Sequence, residues 1–166
     1  MTVVKEACVD NIQDAINAFK KGADRIEFCS NLDEDGLTPS NYDLISLKKN
    51  ISIPVRVMVR PHSNSFNYND DDLILMKETI EFCKNKKFDG VVFGCLDDNN
   101  ELDLNKIKDL ADFAKPLNVI IHKAIDLTSS PVNSLKKLLD INNVNGVLSS
   151  GGCETAELGT EVLKKM

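Results

Sequence analysis

Short apolar strands alternate with helical stripes along the whole chain, and the switch between a period of two and a period of about 3.6 sets the expected order of elements. Val3–Val9 reads as the first strand. Asp10, with Gln13 three residues on, reads as a capped helix start, and Ile12, Ala15, Ile16 and Phe19 make one helical face that Gly22 closes. In Asp24–Cys29, Ile26 and Phe28 alternate with Arg25, Glu27 and Cys29, as in a strand. A polar loop from Ser30 to Gly36 leads into Thr38 and Pro39, a cap and a first helical position, with Leu44 and Leu47 carrying that helix on.

The rhythm continues. Ile53–Arg60 places Val55, Val57 and Val59 on one face and Arg56, Met58 and Arg60 on the other. The polar loop Pro61–Asn69 precedes a helix striped by Leu73, Met76, Ile80 and Cys83. Phe88–Cys95, Val119–His122 and Val144–Ser149 read as strands four to six. Between them lie a helix capped near Asp103 and another started by Ser130-Pro131, and a last helix is expected near Thr155.

About six βα units with no linker between them imply a parallel sheet with right-handed crossovers. A doubly wound sheet wants both faces of its strands apolar. Here Arg25, Glu27, Arg56 and Arg60 alternate with apolar residues, as strands do when one face meets helices and the other lines a barrel. The expectation is a TIM (β/α)8-type barrel of one domain over residues 3–158, incomplete because the last two of eight strands have no counterpart here. Open sheet edges then invite self-association into a homo-oligomer.

Glu6 and Cys8 repeat the i, i+2 spacing of Glu27 and Cys29, so each of the first two strands shows a carboxylate and then a thiol on one face. If the strands are parallel neighbours, about 4.8 Å apart, the thiols emerge side by side, close enough to share one soft metal ion.

Composition narrows the function. The chain of 166 residues is 42% apolar and 28% charged with a formal charge of -6, which suits a soluble globular domain and not a general nucleic-acid binder. No apolar run reaches membrane-spanning length and no secretory signal precedes the first strand, so a cytoplasmic address is expected. The five cysteines (8, 29, 83, 95 and 153) are odd in number and lack C-x-x-C spacing, so they are expected as reduced thiols. Cys83 and Cys95 fit the core, and Cys153 sits in a loop. Met58 shares the inward face of its strand.

Charges inside barrel strands are costly unless paired, so Glu6, Glu27, Arg25, Arg56 and Arg60 are expected to form an ion-pair network. Two readings stand. The network simply satisfies the interior, or it forms a substrate pocket of an enzyme acting on a small anion. In the second, Glu6 or Glu27 is the acid or base, Arg60 the anion clamp and His122 a strand-end catalytic group oriented by Asp126. Ser149-Ser150-Gly151-Gly152 adds a candidate anion-holding loop.

Several blocks together carry a family resemblance. They are Glu6-Ala7-Cys8-Val9-Asp10, Gly22 to Ser30, Gly36-Leu37-Thr38-Pro39-Ser40, Val57 to Pro61, Phe66-Asn67-Tyr68, Phe88 to Gly94, His122 to Asp126 and Val147 to Gly152. In order and content they resemble the copper homeostasis protein CutC family. The resemblance implies a TIM barrel, a cytoplasmic location, a role in copper homeostasis and copper ion binding, with Cu(I) held by Cys8 and Cys29. Two thiolates suit soft, linear Cu(I) better than Zn(II), which takes four ligands. His62, Ser63 and Asn64 depart from the Arg-Gly-Gly of the family block, and Lys123 replaces its arginine. Both changes remove a planar guanidinium.

Overall fold

The computed structural model describes residues 3–166. Six parallel strands follow one another in chain order: β1 (Glu6–Val9), β2 (Arg25–Phe28), β3 (Val55–Met58), β4 (Gly90–Phe93), β5 (Asn118–Ile121) and β6 (Val144–Val147). Between them run α1 (Ile12–Lys20), α2 (Asn41–Asn50), α3 (Asp70–Asn85), α4 (Leu104–Ala114) and α5 (Pro131–Leu138), and α6 (Thr160–Leu163) closes the order. Every strand pairs with its sequence neighbour, as successive right-handed βα crossovers dictate, giving an arc of a TIM-type barrel with β1 and β6 at its edges.

Local chemistry starts α1 to α5. Asn11, Ser40, Asn69, Asp103 and Ser130 each accept a hydrogen bond from a first-turn backbone N–H, and Asn69 and Asp72 cap reciprocally. Two expected caps move by one or two residues. Asn11 replaces Asp10, whose carboxylate instead accepts the Leu32 N–H, and Ser40 replaces Thr38, whose hydroxyl accepts the Arg60 N–H. The last helix begins at Thr160, five residues beyond its expected start.

The two faces of the sheet differ as the strand pattern requires. Ile26, Phe28, Val57, Val91, Phe93, Val119 and Ile121 point to the helices and join Leu44, Met76, Ile80, Ile107 and Leu110 in the main core. Cys83 and Cys95 belong to that core, and burial pushes both thiols up to about 12. On the concave face Cys29, just past the end of β2, joins Met58 of β3, Val92 of β4 and Ile120 of β5 in a separate small apolar layer. Below it Glu6 pairs with Arg25 at 2.9 Å and with Arg56 at 3.1 Å, and Arg56 lies 3.8 Å from Asp89. The expected charge network is therefore smaller: Asp89 joins it, while Glu27 and Arg60 make no ion pair among the described residues.

Candidate functional site

Strand register decides where the thiols meet. Cys8 on β1 is level with Glu27 on β2, and Glu6 with Arg25, so the two strands are offset by two residues from the expected match of thiol to thiol. Such stagger is what closing a barrel demands of its neighbours. Cys29 consequently sits one inward position beyond Cys8. The two cysteines still share the concave face and approach to 4.2 Å.

Their surroundings differ. Cys8 lies on the edge strand and is exposed, whereas Cys29 is fully buried beneath Gly36, with Met58 beside it. A side chain at Gly36 would place its Cβ 3.2 Å from the Cys29 sulfur, so the bare backbone, at φ +84, is what lets this loop pack over the thiol. The Cys8 thiol donates to Glu27 Oε1 at 3.4 Å, and the Cys29 thiol to the Val9 carbonyl at 3.6 Å. The protons are coupled. The neighbouring Cys29 sulfur, together with burial and the Glu27 charge, holds the Cys8 proton on, while the nearness of Cys8 favours loss of the Cys29 proton. The first proton of the pair leaves more easily than the second.

Above this layer a cavity of about 530 Å³ opens at the C-terminal ends of the strands. Cys8, Glu27, Met58, Arg60, His122 and Cys153 are among its lining residues. A second cavity of about 410 Å³ lies below, where Glu6, Arg25 and Arg56 line the open side. Cys8 and Glu27 stand between the two and face both. Glu27 is 5% exposed, and burial raises its pKa. Of the four residues in the acid–base alternative, Glu27, Arg60 and His122 share the upper cavity; Glu6 is tied to its arginines in the lower one.

Arg60 donates to three backbone carbonyls: Nη1 to Glu34 at 2.6 Å and Gly36 at 3.2 Å, and Nη2 to Ser63 at 3.4 Å. Its guanidinium lies 4.7 Å over the Phe66 ring, which in turn packs 4.8 Å from the His122 ring. Burial, then the Arg60 charge, lowers the His122 pKa to about 3, so the ring is neutral at physiological pH. Its Nδ1 accepts the Ala124 N–H at 3.2 Å, which places the ring proton on Nε2.

Two expectations are corrected here. Asp126 does not orient His122. Its carboxylate accepts from the Ser149 hydroxyl at 2.6 Å, the Ser150 N–H at 2.7 Å, the Ser150 hydroxyl at 3.1 Å and the Gly152 N–H at 2.8 Å. The Ser149–Gly152 loop does hold an anion, but the anion is this side chain. Sequence reading also passed over the approach of Asp89 to Arg56 and the stacking of Phe66. Asp89 and Phe66 sit inside the family blocks, yet nothing local says which arginine each will meet.

With this geometry in view, comparison with known proteins is informative. The model of the CutC family matches residues 3–166. The chain belongs to the CutC family. It is 38% identical over 161 residues to the human copper homeostasis protein cutC homolog, covering 97% of this chain and 59% of that one. It is 34% identical to the family protein CutC of Edwardsiella ictaluri, covering 97% of this chain and 64% of that one. The chain thus spans about three fifths of the length of these curated relatives. The crystal structure of the copper homeostasis protein CutC from Streptococcus agalactiae superposes with a TM-score of 0.88 at 29% identity, covering 98% of this chain and 80% of that one. No helix among the described residues of this CutC family chain is long and apolar enough to cross a membrane.

Proposed function

We propose that this chain serves copper homeostasis by binding one Cu(I) ion in two-thiolate coordination between Cys8 and Cys29. The observation that carries the reading is the 4.2 Å approach of two free cysteines on one face of adjacent strands. Half that separation is near the metal–thiolate bond length of about 2.3 Å, so one ion fits between the sulfurs with little adjustment. Soft sulfur donors select Cu(I), for which two ligands suffice. Among the described residues no cluster of three or more His, Cys, Asp and Glu side chains has metal-binding geometry, which disfavours a four-ligand Zn(II) site.

The surroundings support the reading. Met58, next to Cys29 in the buried layer, offers a thioether on the same face. A dithiolate–Cu(I) unit carries one negative charge, and burial lets Glu27 take up a proton beside it more easily than an exposed carboxylate would. Cys8 faces the cavity and Cys29 lies behind it, so an ion arrives at the exposed thiol and is completed by the buried one. Such thiols stay competent in a reducing compartment such as the cytoplasm.

Anaerobic competition against a Cu(I) chelator tests this. One equivalent is expected to bind, Cys8→Ser and Cys29→Ser are each expected to abolish binding, and Cys83→Ser is expected to leave it intact. Binding that survives in the Cys8→Ser/Cys29→Ser double variant overturns the proposal.

A further inference from the structure

The upper cavity holds a second, chemically different group of residues that the thiol pair does not use. Arg60 is 4% exposed, yet no carboxylate pairs with it among the described residues; its three acceptors are neutral main-chain carbonyls. Buried charges are ordinarily paired, because an unpaired one loses its hydration without compensation. Its Nε–H finds no acceptor among the described residues either. His122, also 4% exposed, carries its proton on Nε2, and that atom is likewise buried without a partner. Phe66 packs against both groups. A fixed positive charge and two N–H donors lacking acceptors, on residues lining one cavity, describe the receiving end of an anion site.

The remainder of the cavity says which anion. Leu32, Leu127 and Leu148 line it and are themselves substantially exposed, at 41%, 58% and 42%. Glu27, Asp35, Asp126 and Glu154 also line it, with Lys123 in addition to Arg60, and this excess of carboxylates opposes a multiply charged anion. The buried Arg60 guanidinium balances one negative charge at its own end of the cavity. A volume of about 530 Å³ accommodates a molecule of small-metabolite size. We propose that Arg60 and His122 bind the carboxylate of a small organic monoacid whose apolar body lies against Leu32, Leu127 and Leu148. The site is independent of the copper reading, since neither thiol is a ligand in it. It is nevertheless adjacent, because the Gly36 backbone that accepts from Arg60 also covers the Cys29 sulfur.

The test uses the full chain and three probes: hexanoate, its neutral counterpart 1-hexanol, and inorganic phosphate. Binding is measured by calorimetry and by nitrogen–proton spectra that resolve the Arg60 Nε–H and the His122 Nε2–H. Hexanoate is expected to bind at least tenfold more tightly than 1-hexanol or phosphate and to shift both N–H signals. Cys8→Ser/Cys29→Ser is expected to retain that binding, which separates this site from the copper site. Arg60→Leu risks misfolding because three carbonyls lose their donor, so His122→Phe, which keeps the stacked ring and removes the N–H, is the companion variant, with an expected tenfold loss. Equal binding of 1-hexanol and hexanoate, binding of phosphate as tight as hexanoate, or hexanoate binding that leaves the two N–H signals unmoved each overturn the proposal.

Discussion

Cys8 stands level with Glu27, not with Cys29, and its thiol donates to Glu27 Oε1 at 3.4 Å. The carboxylate next to the thiol pair works against thiolate formation, because a second negative charge beside the first is unfavourable in a partly buried setting. Glu27→Gln removes that charge and keeps a hydrogen-bonding side chain of the same size. The pH midpoint for alkylation of Cys8 by iodoacetamide is expected to fall by about one unit, and the rate at pH 7 to rise accordingly. An unchanged midpoint shows that Glu27 is already neutral when the thiol ionises.

His122 makes acid stability a readout of the upper cavity. Its folded pKa is lowered to about 3 from an ordinary 6.5, so between those values the unfolded chain binds a proton that the folded chain does not. Stability therefore rises with pH across that window and falls as pH drops from 6.5 toward 3. The slope from this one group is at most about 1.4 kcal/mol per pH unit. Urea titrations at successive pH values should show a shallower acid limb in His122→Gln than in the parent, whatever the loss at neutral pH.

Gly94 holds the space in which that imidazole lies. A Cβ there would come within 2.9 Å of both Cε1 and Nδ1 of His122 and 3.2 Å of the Ala124 Cβ. Gly94→Ala is expected to cost about 1–3 kcal/mol by overpacking and to push the ring away from the Ala124 N–H. The His122 ring resonances in an NMR spectrum report the second effect separately from the first.

Asp126 ties the loop after β6 to the segment after β5 through four donors on Ser149, Ser150 and Gly152. Asp126→Asn keeps the shape but loses the charge and turns one acceptor into a donor facing other donors. A loss of about 1.5–3 kcal/mol is expected. Faster amide exchange should be concentrated at Ser150 and Gly152, with the β2 and β3 amides little changed.

The order of six βα units could be read from periodicity, because each strand and helix announces itself within its own few residues. The barrel type was legible too. Arg25, Glu27, Arg56 and Arg60 sit at alternate positions in otherwise apolar strands, and only a lined interior tolerates that pattern. Strand alternation put Cys8, Cys29, Glu27, Arg60 and His122 on inward positions, and there they lie. Their partners were not legible. Arg60 was expected to meet carboxylates and meets carbonyls; Asp126 was expected at His122 and lies in the Ser149–Gly152 loop.

Side-chain direction along a strand is set by the backbone's own alternation, so the sequence alone determined which residues look into the barrel. Which inward residue faces which is set by the offset between one strand and the next. That offset comes from tilting and curving the whole sheet and leaves no mark on either strand. Only the tertiary structure could therefore set Cys8 against Glu27, bring Cys29 diagonally to its side, and leave Arg60 buried without a counter-charge among the described residues.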